Sequence, residues 1–153
     1  MENMKIMLVD DEERFLTTTS KLLSRKGYDV ITASSGMEAL KMLASGNIHV
    51  VILDIKMPGM DGIETLRAIK SSHPLVEVIM LTGHGTVESA IDGLKSGASD
   101  FLLKPTDIND LIDKVEEAFN RRIKLEEKIR MARSRRYMKS PREIIREANV
   151  DES

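Results

Sequence analysis

The chain has 153 residues, of which 41% are hydrophobic and 31% charged, and its formal net charge is −2, which is typical of a soluble globular protein rather than a disordered one. It has no cysteine, which excludes disulfides, thiol catalysis and cysteine-ligated zinc. No apolar run approaches the roughly 20 residues of a membrane helix and the acidic N-terminus is unlike a secretory signal, so we expect a cytoplasmic protein without a membrane partner.

Five short apolar segments alternate along the chain with segments of helical periodicity. Strands are predicted at Ile6–Val9, Val30–Ala33, Val50–Leu53, Val78–Leu81 and Phe101–Leu103. Their nearly continuous apolar character is typical of parallel strands that helices cover on both faces. In the first helical segment, the apolar stripe includes Phe15, Leu16, Leu22 and Leu23. Strict alternation of strand and helix predicts an α/β fold with a doubly wound, five-stranded parallel sheet.

The last predicted helix is unusually long. It should begin after Asp107, a suitable N-cap, and continue to about Arg136. Some thirty residues of helix span roughly 45 Å at ~1.5 Å per residue, which exceeds the size of such a domain. We therefore expect one domain over residues 1–120 and a helical extension over residues 121–153 that has no separate globular core. A break is predicted at Ser140–Pro141, followed by a short helix over Arg142–Ala148.

The predicted extension is basic, whereas the predicted domain is acidic. Residues 1–120 carry 12 Lys and Arg against 19 Asp and Glu, and residues 121–146 carry 11 against 3. One interpretation is a solvated helix supported by the i,i+4 pairs Glu117–Arg121 and Glu126–Arg130. A second is the seam of a weak homodimer, interrupted by Arg122 and otherwise formed by Val115, Phe119, Ile129 and Ala132.

A third interpretation of the extension is contact with a nucleic acid or an acidic partner. It would use the cationic residues Arg130, Arg133, Arg135, Arg136 and Lys139. Base stacking would have only one aromatic residue, Tyr137, so nucleic acid is the least supported of these partners.

Residues suited to phosphoryl chemistry stand where predicted strands end. Asp10-Asp11 follow the first strand, Asp54 the third, Thr82 the fourth and Lys104 the fifth. Functional groups gather at the carboxyl ends of strands in doubly wound sheets, so these residues should converge. Each alone has an ordinary explanation as a cap, a turn or a solvated charge. Together they favour a site where Mg²⁺ relieves carboxylate repulsion and a carboxylate attacks phosphorus.

Four motifs extend this interpretation to a family. They are LVDDE (Leu8–Glu12), LDIKMPGMDG (Leu53–Gly62), LTGHG (Leu81–Gly85) and FLLKP (Phe101–Pro105). Together they resemble the receiver domain of response regulators in bacterial two-component signal transduction, over residues 4 to about 120. The resemblance implies a flavodoxin-like sheet with strand order 2-1-3-4-5.

The resemblance also implies roles for individual residues. Asp54 would accept the phosphoryl group, and Thr82 and Lys104 would contact it. Mg²⁺ would be held by carboxylates and by one backbone carbonyl, from Asp10, Asp11, Asp54 and Lys56.

Further roles concern conformation. Thr82 and Phe101 would form the switch, although Phe101 lacks the hydroxyl of the Tyr that many relatives have, and the Lys104–Pro105 peptide bond would be cis. The loop after Asp54 would be shaped by Pro58, Gly59 and Gly62. Lys56 and His84 would flank the phosphoryl group.

The expected function is a signalling switch rather than an enzyme proper. A histidine kinase or phosphotransfer protein would donate the phosphoryl group, and the face of helix four, strand five and helix five would control an unknown downstream protein. One rival is a phosphatase with Asp54 as nucleophile, but its general acid would be Lys56, a poor acid at neutral pH. Another is a flavodoxin-like cofactor binder, in which Asp10-Asp11-Glu12 would repel phosphate. The chain is either a stand-alone receiver or a fragment of a longer regulator.

Overall fold

The structure, a computed structural model, describes residues 4–57, 59–83, 85–137 and 142. The strands are β1 (Lys5–Val9), β2 (Asp29–Ala33), β3 (Val50–Leu53), β4 (Glu77–Thr82) and β5 (Asp100–Leu103). The helices are α1 (Glu13–Arg25), α2 (Gly36–Leu43), α3 (Gly62–Ser72), α4 (Val87–Lys95) and α5 (Ile108–Tyr137). The predicted break at Ser140–Pro141 and the short helix after it lie outside the described residues.

All five strands are parallel and stand in the order β2-β1-β3-β4-β5, which confirms the predicted sheet. Val9 lies opposite Leu53, and Thr82 lies opposite Leu103. The carboxyl ends of the strands therefore meet at one edge of the sheet, and the residues that follow them become neighbours.

The sheet separates two hydrophobic clusters, because successive side chains of a strand point to opposite faces. Met7 and Val9 of β1 belong to the cluster that α2 and α3 cover. Ile6 and Leu8 belong to the cluster that α1 and α5 cover. With helices on both faces, β3 is buried along its whole length, and β1 and β4 are buried after their first residue, which explains their continuous apolar sequence.

The first half of α5 is part of the second cluster. Leu111, Val115 and Ala118 are fully buried there, and the Phe119 ring meets the His49 ring edge-on with centroids 5.3 Å apart. The predicted dimer seam is therefore wrong at Val115, because this side chain is fully buried, and Phe119 is partly buried against the same cluster. A weak association through Ile129 and Ala132 stays a prediction.

Arg121 and Arg122 fasten α5 to the amino-terminal edge of the sheet. Arg121 Nε donates to Glu77 Oε1 over 2.8 Å, and Arg122 Nη1 donates to the Ile48 carbonyl over 3.1 Å. The predicted Glu117–Arg121 pair is wrong, because the Arg121 guanidinium pairs with Glu77 instead. Glu77 also accepts a hydrogen bond from Ser99 Oγ. Glu117 instead pairs with Lys114, at 3.5 Å. The Glu126–Arg130 pair stays a prediction.

The chain divides into two compact units, Met1–Arg122 and Ile123–Ser153. The first contains the sheet and its covering helices. Residues 123–137 of the second are helical, and their side chains up to position 135 are exposed or partly exposed. The extended C-terminal helix is thus confirmed. Within the described residues, no helix has the combination of length and apolarity that crossing a bilayer requires.

Candidate functional site

Backbone hydrogen bonds place Asp10 and Asp54 side by side at the carboxyl edge of the sheet. The Asp54 N–H donates to the Val9 carbonyl over 3.0 Å, and the Asp10 N–H donates to the Ala33 carbonyl over 3.2 Å. Each aspartate is the first residue after its strand. The Asp54 bond continues the pairing of β3 with β1, and the Asp10 bond continues the pairing of β1 with β2. The sheet itself, rather than a mobile loop, therefore fixes both side chains.

Three carboxylates meet at this edge. One oxygen from each of Asp10, Asp11 and Asp54 lies within 4.8 Å of the others. Asp10 is 1% exposed and Asp54 is 3% exposed, whereas Asp11 is open to solvent. Buried negative charges this close repel one another strongly, so the arrangement favours a compact cation among them.

One oxygen of the cluster is unsatisfied. Among the described residues, the Asp54 Oδ1 atom is buried and has no hydrogen-bond donor in contact with it. A buried acceptor without a partner costs on the order of 1–3 kcal/mol. The site therefore suits a group that brings positive charge or donors to Asp54, and hard oxygen ligands are those that Mg²⁺ prefers.

Asp10 is held by two donors. The Glu12 N–H donates to its Oδ1 over 3.0 Å, and the Lys104 ammonium contacts its Oδ2 directly. Burial raises the pKa of the Asp10 carboxyl above its usual range, and the Lys104 hydrogen bond and the Glu12 backbone oppose this. The neighbouring Asp54 carboxylate raises the same pKa further. Positive charge near Asp10, such as the Lys104 ammonium, thus favours its ionised form.

Lys104 enters the site from the end of β5. Its backbone N–H donates to the Thr82 carbonyl over 2.9 Å, and its peptide bond to Pro105 is cis. Its ammonium also lies 3.9 Å from Glu12 Oε1 and 4.0 Å from the centre of the Phe15 ring. Sequence reasoning placed Phe15 only in the apolar stripe of the first helix. Phe15 lies in the first turn of the helix that follows Asp10-Asp11, and this position could have indicated that its ring is near the site.

Thr82 is the last residue of β4, and Phe101 lies on the neighbouring strand β5. Thr82 is fully buried, and the Phe101 ring packs, partly buried, against the cluster under α2 and α3. A Cβ atom added to Gly85 would lie 2.6 Å from Phe101 Cζ and 2.5 Å from Leu103 Cδ2. The missing side chain at position 85 thus gives the ring the room that it occupies.

The loop after Asp54 is turned tightly against the site. The Gly62 N–H donates to the Ile55 carbonyl over 2.7 Å, and a Cβ at position 62 would lie 2.2 Å from the Asp54 carbonyl oxygen. Asp61 then caps α3 by accepting the Glu64 N–H over 2.8 Å. Lys56 has an exposed side chain, and its carbonyl as a metal ligand stays a prediction. Pro58 and His84 lie outside the described residues.

Comparison with known proteins gives consistent matches over the part of the chain that carries this site. Residues 6–116 match the response regulator receiver domain family. The chain is 38% identical over 117 residues to the transcriptional regulatory protein ZraR of Escherichia coli (strain K12), a match that covers 76% of this chain and 26% of that protein. It therefore spans about a quarter of that relative's length.

Solved structures give the same result. A response regulator receiver domain protein from Clostridium thermocellum is 41% identical, with a TM-score of 0.76 over 80% of this chain and 98% of that one. A CheY-like receiver domain protein from Methanospirillum hungatei JF-1 is 30% identical, with a TM-score of 0.78 over the same shares. Fold and sequence are thus similar in both.

Proposed function

The chain belongs to the response regulator receiver domain family, and we propose that it works as a signalling switch controlled by phosphorylation of Asp54. The observation that carries the proposal is the buried Asp54 carboxylate with an unsatisfied oxygen, close to the carboxylates of Asp10 and Asp11, of which Asp10 contacts the Lys104 ammonium. This arrangement suits a nucleophile whose product bears extra negative charge.

The phosphoryl group would come from a phosphohistidine of a sensor histidine kinase or phosphotransfer protein. An Asp54 carboxylate oxygen attacks phosphorus, and the bond between phosphorus and the donor nitrogen breaks, its electron pair staying on the imidazole. Lys104, which contacts Asp10 in this structure, would turn toward a phosphoryl oxygen, and the Thr82 hydroxyl would donate to another. The chain would thus catalyse only its own phosphorylation and dephosphorylation.

Magnesium fits the carboxylates that the sheet brings together. Asp10, Asp11 and Asp54 would hold the ion, together with the Lys56 backbone carbonyl. When bound, Mg²⁺ would neutralise charge on the phosphoryl oxygens, which lowers the barrier to transfer between two anions. The unsatisfied Asp54 oxygen and the close approach of the three carboxylates support this assignment.

The signal would travel through Thr82 and Phe101. A phosphoryl group that draws the Thr82 hydroxyl toward itself favours a state in which Phe101 packs further inward, and this shifts the population of the α4-β5-α5 face. That face would control a downstream protein. Residues 1–120 would form the receiver, and residues 121–153 a basic helical extension without its own globular core.

The test of the proposal is direct mapping of the modified residue. Incubation of the full chain with acetyl phosphate and Mg²⁺ should add one phosphoryl group in an acid-labile form, and reduction with borohydride should convert residue 54 to homoserine. Chelation of divalent ions should prevent the modification. A phosphoryl group found at another residue, or uptake that is indifferent to chelation, would refute the assignment.

Removal of the exposed aspartate should separate metal binding from folding. We expect Asp11→Ala to weaken Mg²⁺ binding by at least about tenfold, because one of three charged oxygen ligands is lost. The metal-free variant should be at least as stable as the parent, because carboxylate repulsion falls. Calorimetric Mg²⁺ titration and thermal melts measure the two effects, with the remote Asp113→Ala as control. An unchanged Mg²⁺ affinity would contradict the ligand assignment.

A further inference from the structure

The Phe15 ring forms one wall of the space that the Lys104 side chain occupies. Phe15 belongs to the first turn of α1, and its ring centre is 4.0 Å from the Lys104 ammonium nitrogen. The face of an aromatic ring attracts a cation, and more strongly where water is excluded. The Lys104 side chain is only 14% exposed, so this contact lies in a largely dry setting.

Beyond this ring, the protein surface opens into a groove. The groove has a volume of about 790 Å³ and is bordered by α1 and by the segment between β5 and α5. Phe15 and Lys104 both line it, as do Leu22 and Pro105. A lysine has four rotatable bonds, so without a wall its ammonium could turn from the carboxylates into this groove and become hydrated.

We propose that Phe15 is a positioning residue for phosphorylation of Asp54: its ring keeps the Lys104 ammonium on the carboxylate side of the site. The Asp10 carboxylate and the face of the Phe15 ring both contact the Lys104 ammonium. Asp10 and Asp54 have oxygens within 4.8 Å of each other, so an ammonium held this way needs only a short movement to reach a phosphoryl oxygen on Asp54. The inference rests on the proposed function, because it needs Lys104 to contact that group.

The discriminating variant is Phe15→Leu, which keeps an apolar side chain in α1 and removes the aromatic face. We expect its rate of phosphorylation by acetyl phosphate at saturating Mg²⁺ to fall about fivefold, in line with the usual strength of a partly buried cation–π contact. The Mg²⁺ dissociation constant should stay within about twofold, because Asp10 and Asp11 are untouched. General damage to α1 would instead weaken Mg²⁺ binding, since Asp11 lies just before that helix.

A second readout does not depend on the reaction. In the metal-free protein, the ring current of Phe15 should shift the Lys104 ε-methylene protons upfield, and Phe15→Leu should remove this shift. Phe15→Tyr keeps the aromatic face and should retain both the shift and the rate. The control is Phe119→Leu, which removes a ring that contacts His49 instead, and it should change neither quantity.

The outcomes separate this inference from the proposed function. If Phe15→Leu leaves the Lys104 shift or the phosphorylation rate as in the parent, or weakens Mg²⁺ binding by the same factor as the rate, the positioning role is overturned. The proposed function would still stand as long as the parent chain takes up phosphate on Asp54. If the parent takes up none, the proposed function fails, even where the proton shifts place the ring over Lys104.

Discussion

Replacement of Asp54 by asparagine should abolish phosphoryl uptake, with a fall of at least about a hundredfold in rate, because an amide is no nucleophile toward phosphorus at neutral pH. The change is nearly isosteric and removes one of the charges buried at this edge of the sheet. We therefore expect Asp54→Asn to be folded and at least as stable as the parent in the absence of metal. Mass spectrometry after incubation with acetyl phosphate and Mg²⁺ measures the uptake.

The matched control is Asp61→Asn in the same loop. Asp61 is exposed and caps α3 through the Glu64 N–H, and asparagine caps helices about as well as aspartate. This variant should take up phosphate at nearly the parent rate. Uptake that continues in Asp54→Asn at the parent rate would mean that another residue is the acceptor.

Gly62→Ala should be among the most destabilising single changes near the site. A Cβ atom at position 62 would lie 2.2 Å from the Asp54 carbonyl oxygen and 2.5 Å from the Ile55 Cα. Both are backbone atoms of a segment that the sheet holds in place, so the clash cannot be relieved by a side-chain rotation. We expect a loss of about 3 kcal/mol in the free energy of unfolding, at the upper end of the usual cost of overpacking. Denaturant unfolding measures it.

Gly93→Ala is the control for this prediction. Gly93 is also buried, but in α4, and a Cβ there would meet only side-chain atoms, at 3.6 Å or more. Alanine also favours a helix over glycine by about 1 kcal/mol, so this variant should be neutral or more stable. If Gly62→Ala were as stable as Gly93→Ala, the close packing of the loop against Asp54 would be contradicted.

The clustering of the residues that follow the strands could be predicted from the sequence, because the carboxyl ends of parallel strands all lie at the same edge of the sheet. Once Ile6–Val9 and Val50–Leu53 are buried parallel strands, the residues after them must stand at one edge, and Asp10 and Asp54 do. The approximate ends of α5 could likewise be read from Asp107 and the apolar stripe. These features follow from local patterns that repeat with a known period.

Side-chain partners could not be predicted in the same way. Val115 and Phe119 fit both an amphipathic helix on a sheet and a dimer seam, because the two patterns have nearly the same period. Arg121 could reach Glu117 one turn earlier, yet it binds Glu77, which is 44 residues away in sequence. The contact of Phe15 with Lys104 likewise joins two distant segments. Such choices depend on rotamers and tertiary distances that a single sequence does not encode locally.

Cation binding at the unpartnered oxygen of Asp54, as proposed, would also make the melting temperature depend on the ions in solution. Any cation that binds the folded chain there, and not the unfolded chain, shifts the folding equilibrium toward the native state by mass action. At a hundred times its dissociation constant, such an ion contributes about 2.7 kcal/mol. If divalent ions bind there as proposed, melting temperatures of this chain are comparable only at the same divalent-ion concentration. A simple melting series over different ions would rank their affinities without any phosphoryl donor.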